Sequence, residues 1–157
     1  MARGKRFHDK FLFNVEAGLS YAGFHKVSGL KATVEVHEHW EGGSLIPDKS
    51  PGKAKFDNVT LERGATTDMD LYNWFSEVID ASGGTDTGDG ISRGNDEYKR
   101  DIRINQKGRD GQVIKTWLLH GAFPIEFEAG DWDNSSNDKV IEKVVLAYDY
   151  YKLYKKA

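Results

Sequence analysis

Cysteine is absent from the 157 residues. That excludes a disulfide framework, a cysteine–zinc site and a thiol nucleophile, and leaves the redox compartment open. A surplus of positive charge is also missing: 22 Lys and Arg stand against 25 Asp and Glu, a net charge of −3. A dedicated duplex-DNA binder normally carries a basic excess, so that class is disfavoured, although a local basic patch stays open. Long apolar runs are lacking too. The N-terminal MARGKRFHDKFLFNVE has only Phe11-Leu12-Phe13, far short of the roughly 7–15 apolar residues of a cleaved export signal. Nothing approaches the roughly 18 apolar residues of a membrane span. The expectation is synthesis in a cytosol without a cleaved leader. Proline is scarce at 3 residues, whereas glycine is abundant at 17, about 11% against a usual 7%.

What is present describes a single globular domain of residues 1–157. Aromatics at 12% are too many for a disordered chain. A domain of this length can bury roughly 68–70% of the surface its unfolded chain exposes, enough to fold without metal or disulfide. Phe11, Phe13 and Val15 alternate with Lys10, Asn14 and Glu16, the pattern of a strand with one buried face. Tyr21–Val27 is a second β-type run, ended by Ser28-Gly29. Lys31–Trp40 alternates most cleanly, with Ala32, Val34 and Val36 on one face and Thr33, Glu35, His37 and His39 on the other. Glu41–Lys55 then shows no periodicity, which reads as a long irregular loop. Structureless loops beyond about 12–15 residues are uncommon and often functional, and this one carries apolar Leu45 and Ile46.

Alternation resumes over Asp57–Arg63 with Val59 and Leu61 inward. One helix follows. Leu71, Trp74, Phe75, Val78 and Ile79 form an apolar stripe, with Thr67 or Asp68 as cap and Asp70 favouring the positive N-terminal end. Gly83–Glu97 is a Gly/Asp-rich segment expected to be a flexible insertion. Lys99–Gln106 and Gln112–His120 read as a hairpin around Lys107–Gly111, broken afterwards by Ala122-Phe123-Pro124, with a short β segment from Ile125. Asp131–Asp138 is a turn-rich loop holding Trp132. Val140–Lys152 reads as one long strand, apolar on both faces, hence central or covered by another subunit. The predicted fold is mainly β: an antiparallel sandwich or barrel of about eight strands with one flanking α-helix.

No catalytic constellation emerges. His37 and His39 share a strand face and, with Glu35, could hold zinc, but local spacing supplies no third ligand and a solvated polar face explains them better. Asp86, Asp89, Asp96 and Glu97 fail the calcium-loop template, since Gly88 and Gly90 stand where ligands belong. The chain has no phosphate loop, dinucleotide fingerprint or nucleophile elbow. The expectation is a non-enzyme with no catalytic residue, metal or cofactor. Trp40, Trp74, Trp117 and Trp132 could stack on sugars, yet three of them sit in or beside apolar periodicity, which favours core or interface use.

The ordered set Phe11-x-Phe13-x-Val15, Phe24–Leu30, Glu41-Gly42-Gly43, Pro51-Gly52, Phe56–Gly64, Leu71–Phe75, Arg100–Ile104, Trp117 with Ala122-Phe123-Pro124, and Ser136–Glu142 resembles the tail tube proteins of contractile phages and the inner tube proteins of extracellular contractile injection systems. Gly83–Asp96 matches nothing in that pattern. The resemblance implies a β-sandwich or barrel with a flanking helix, related to the tube protein of type VI secretion. It further implies six-membered rings stacked into a hollow tube inside a contractile sheath on a baseplate, carrying DNA or effector proteins. Such particles are assembled in the bacterial cytoplasm, and the subunit performs no covalent chemistry. Glu41–Lys55 becomes an extended inter-subunit loop, with Trp40, Glu41, Leu45, Ile46, Pro47 and Pro51 as inter-ring candidates. Glu35, His37, His39, Asp101, Arg103 and Asn105 become candidates for the lumen, where mixed charge would let polar cargo pass. Two other readings compete: a monomeric carbohydrate-binding sandwich using Trp132 and Trp40, and a metal enzyme on His37 and His39.

Overall fold

A computed structural model describes residues 13–16, 23–65, 69–81, 98–135 and 137–155. These form nine strands and one helix: β1 (Phe13–Glu16), β2 (Phe24–Ser28), β3 (Ala32–His39), β4 (Asp48–Phe56), β5 (Val59–Gly64), α1 (Asp70–Ala81), β6 (Arg100–Lys107), β7 (Val113–Glu128), β8 (Ile141–Ala147) and β9 (Tyr150–Lys155). All pairings are antiparallel. The N-terminal arm, the cap positions Thr67 and Asp68, and the Gly83–Glu97 insertion lie outside the described residues.

Two sheets face each other and share β7. Sheet I runs β1-β6-β7-β9 and sheet II runs β7-β8-β5-β2. Alternation places Val15, Ile102, Ile104 and Leu119 of sheet I against Phe24, Val59, Leu61, Val144 and Leu146 of sheet II, all buried. Full burial of each such side chain contributes about 1.5–3 kcal/mol. The helix packs against β7. Its stripe sends Leu71 and Trp74 into the core, and the Trp74 indole N–H donates to the Tyr98 carbonyl at 2.6 Å. Asp70 sits in its first turn, where a negative charge is favoured.

Two expected breaks move. Ala122-Phe123-Pro124 does not end β7. The strand passes through them: β9 pairs as far as His120, Ala122 still pairs with Arg100 of β6, and Phe123 and Pro124 pair with Ala147 and Leu146 of β8. The corner begins at Gly121, whose φ of +67° disfavours a side chain, and Pro124 sits beside a bulge, where its missing N–H costs little. The reading of Val140–Lys152 as one strand is also corrected. It is two, bent at Tyr148-Asp149, with Asp149 N–H donating to the His120 carbonyl at 2.9 Å. In β8 the inward residues are Glu142, Val144 and Leu146; in β9 Tyr151 and Leu153 stand opposite Leu119 and Trp117, Tyr151 half-buried and Leu153 exposed. The inward phase flips from even to odd at the bend, which turns Tyr151 to the core side, while Ile141, Val145 and Ala147 make the outer face of β8 apolar as well.

A third correction concerns Glu41–Lys55. Only its first part is irregular. Asp48–Phe56 is a strand that pairs with β3 along its whole length, from Ala32↔Phe56 to His39↔Asp48. Its Pro51 and Gly52 hide the strand from a periodicity argument, because a bulge opposite Glu35 shifts the alternation between Val34 and Val36.

Candidate assembly interface

The β3–β4 hairpin is a separate two-stranded sheet. Every residue of β3 is exposed, as are those of β4 apart from half-buried Gly52 and Phe56. Its root is anchored. Phe56 meets Tyr151 edge-on at 5.1 Å between ring centroids and Tyr148 at 6.1 Å, and Asp57 N–H donates to the Lys31 carbonyl at 2.9 Å. Register places Ala32, Val34, Val36, Pro51, Ala54 and Phe56 on one face and Thr33, His37, His39, Ser50 and Lys55 on the other. The first face also takes the Glu38–Lys49 pair at its far end; apart from Phe56, which meets Tyr148 and Tyr151, its apolar side chains are covered by nothing among the described residues.

The tip spans residues 40–47. Trp40 is 58% exposed, Leu45 95% and Ile46 77%; Glu41 is exposed and Pro47 half-buried. Ser44 holds this turn together: its N–H donates to the Glu41 carbonyl at 3.1 Å and its hydroxyl to the Ile46 carbonyl at 2.7 Å. Large apolar side chains held out in solvent by an ordered tip are unusual on a monomer. All six inter-ring candidates thus fall on this hairpin, five at the tip and Pro51 opposite Val36.

The lumen candidates divide between two surfaces. Glu35, His37 and His39 share the polar face of the hairpin, where the His37 imidazole lies over Gly52 so closely that a Cβ there would overlap it. Asp101, Arg103 and Asn105 share the outer face of sheet I with Glu16, Thr116, His120 and Lys152. Asp101 accepts from Gly121 N–H at 3.2 Å and stands 3.0 Å from His120 Nδ1; Arg103 is exposed. Asn105, only 6% exposed, accepts from the Thr116 hydroxyl at 2.9 Å and is turned to its neighbour rather than to solvent. Among the described residues no three His, Asp or Glu side chains cluster as a cation site.

The outer face of sheet II carries a feature that sequence reading missed. Lys26, Glu62, Lys143 and Glu128 form a row across β2, β5, β8 and β7, with N–O separations of 3.8, 3.5 and 4.0 Å. The register alone aligns them, so no local spacing could have revealed it. Beside it, at the end of sheet II where Gly64 pairs with Ile141, lies a groove of about 400 Å³. Five carboxylates line it (Glu62, Glu128, Asp131, Asp133 and Asp138) against two lysines, Lys139 and Lys143. The Ser135 hydroxyl and N–H both donate to Asp133 and hold its carboxyl below the usual value. Trp132 stands between two lining residues and is 80% exposed. The hairpin that carries Trp40 and the loop that carries Trp132 are rooted at opposite ends of sheet II, and no ring contact joins the two among the described residues. No helix among the described residues is long and apolar enough to cross a membrane.

Comparison with solved structures finds the same fold elsewhere. The cap that terminates the tube of the anti-feeding prophage superposes with a TM-score of 0.80 at 22% identity, covering 99% of this chain and 96% of that one. A chain of the sheath–tube complex of the PVC extracellular contractile injection system, in its extended state, gives 0.78 at 24% identity over 98% and 95%. Hcp1 from Flavobacterium johnsoniae gives 0.53 at 14% identity over 93% and 97%. None of the curated proteins matches the chain. The family model of the T4-like virus tail tube protein gp19 matches residues 9–152. The match spans the shared sandwich, the helix and the exposed hairpin alike: this chain belongs to the gp19 tail tube protein family.

Proposed function

We propose that this tail tube protein is the inner-tube subunit of a contractile injection particle, that its copies close into six-membered rings, and that the rings stack into a hollow conduit for DNA or effector proteins. The observation that carries the reading is the β3–β4 hairpin, whose Val34, Val36, Trp40, Leu45 and Ile46 have no cover among the described residues. A second copy is the natural cover. A heterologous contact that closes makes a ring, and a second such contact along the axis makes a filament. The sandwich supports the same outcome, because among the described residues β1, β2 and β9 each pair on one side only, and edges of this kind are safe once a neighbour extends the sheet.

The sheath and baseplate are the proposed partners, by analogy with the particles that contain the structural neighbours. The sites support structure rather than catalysis: the family is one of tube proteins, and the polar faces hold mixed charges without a nucleophile–base pair. Either the hairpin's polar face or the outer face of sheet I lines the channel. Negative-stain imaging of the purified protein tests the proposal. Annular particles or hollow rods are expected, more of them when a baseplate nucleus is added. Concentrated protein that stays monomeric with that nucleus present overturns it.

A further inference from the structure

Sheet I begins at β1 and ends at β9, and neither strand pairs on its far side among the described residues. Rows of residues cross the sheet from one edge to the other. The register aligns Glu16, Arg103, Leu118 and Lys152, and next to them Asn14, Asn105, Thr116 and Tyr154, all on the outer face. Between these, on the core side, lie Val15, Ile104, Trp117 and Leu153. The two edges are unfinished in matching ways. Val15 is buried, whereas Leu153 at the other end of its row is 47% exposed. Asn14 Oδ1 is buried without a hydrogen-bond partner among the described residues, and Tyr154 at the other end of its row is 49% exposed. The remaining row starts with a negative charge, Glu16, and finishes with a positive one, Lys152.

Resting on the tube reading, we propose that β9 of one copy adds to β1 of the next in a single register, with Lys152 opposite Glu16, Leu153 opposite Val15 and Tyr154 opposite Asn14. The strand count permits it. Sheet I has four antiparallel strands, an even number, so β9 runs antiparallel to the β1 of a copy placed beside it in the same orientation. Directly opposed pairs alternate between hydrogen-bonded and non-hydrogen-bonded. Continued along these rows, that alternation brings the free backbone groups of β9 onto those of β1. The side chains choose the register. A slip of one residue turns every side chain to the wrong face. A slip of two keeps the faces but separates Lys152 from Glu16. The contact joins opposite edges of one sheet, so it is heterologous and leaves a fresh edge for each further copy until the ring closes. Two β9 strands paired about Lys152 would instead oppose like charges, which disfavours a two-fold dimer.

The absence of cysteine makes the test clean. Glu16→Cys and Lys152→Cys are introduced together, and the full chain is assembled and oxidised. A non-reducing denaturing gel is expected to show a ladder that ends at the closed ring. The slipped pair Asn14→Cys with Lys152→Cys is expected to link at less than a tenth of that yield. In parallel, the unaltered protein is assembled from mixed isotopically light and heavy copies and treated with carbodiimide, which joins adjacent lysines and carboxylates. An inter-copy link between Lys152 and Glu16 is expected. Lys152→Glu lowers the pelletable fraction at least tenfold, because the change repeats at every contact of the ring, and adding Glu16→Lys restores it. Assembled rods that give neither the ladder nor the Lys152–Glu16 link, a slipped pair that links equally well, or a ladder that stops at dimers overturn the β9–β1 register and leave the tube reading standing. Failure of the unaltered protein to assemble counts against both.

Discussion

Two buried polar groups carry the energetic argument at the residue scale. Arg63 is fully buried, with Nε donating to Glu142 Oε2 at 3.1 Å and the guanidinium 5.7 Å from the Phe24 ring centroid. Its inward position follows from the alternation that buries Val59 and Leu61. Removing one partner of a buried pair strands the other, so Arg63→Met is expected to destabilise the fold by about 3 kcal/mol, measured by urea unfolding. Tyr148 behaves differently. Its hydroxyl is buried without a hydrogen-bond partner among the described residues, and burial first, then the nearby Tyr151 and Asp57, push its pKa up to about 12. The folded chain thus holds the phenol proton more tightly than the unfolded chain. That stabilisation is complete below about pH 10, the ordinary tyrosine value, and is lost as pH rises toward 12. Tyr148→Phe removes the late phenolate step from an absorbance titration and leaves stability equal or higher by about 1 kcal/mol, because an unpartnered buried hydroxyl is lost. Gly29 has φ +88°, and a Cβ there would lie 2.5 Å from the Asn58 carbonyl oxygen, which belongs to the backbone. Gly29→Ala is expected to lower stability by about 2 kcal/mol or more in the same unfolding assay.

At the scale of the element, the hairpin separates folding from assembly. Apart from Phe56 at its root, its apolar face adds nothing to the described core, so Val34→Lys with Val36→Lys changes unfolding stability by less than about 0.5 kcal/mol. The same double variant loses rods and rings in negative stain. A variant that unfolds in step with its loss of assembly would show that the face serves the monomer instead. The helix is the contrasting case. Trp74→Ala removes a buried ring and its hydrogen bond to Tyr98 and is expected to cost about 3–5 kcal/mol, seen in thermal and urea unfolding.

For the whole molecule, the shared strand β7 explains why the two sheets behave as one body. Gly121 and the Asp149–His120 hydrogen bond bend β7 and its partner segment together, so the end of sheet II that roots the hairpin and the end that holds the groove keep a fixed relation. A rigid spacer of that kind suits stacking, since each added copy repeats the geometry of the last. The ion pairs Lys26–Glu62–Lys143–Glu128 lie on the outer face of sheet II with only Glu62 largely covered, and contribute little to the isolated fold, about 0–1 kcal/mol each.

The sequence by itself determined which segments alternate: Phe13–Glu16, Ala32–His39 and Val59–Arg63 as strands, and the helix around Leu71 and Trp74, were legible because periodicity is a local property, although the apolar face of Ala32–His39 lies exposed. Family membership was legible too, from motifs in order along the chain. Only the tertiary structure decided where alternation changes phase, that β4 is a strand despite Pro51 and Gly52, that β7 continues through Pro124, and that Asn105 turns to Thr116. It alone brought Glu62, Glu128 and Asp131 to one groove at the far end from the hairpin. The reason is physical: bulges, corners and cross-strand registers are set by residues distant in the chain, and a local pattern carries no information about the partner it will meet.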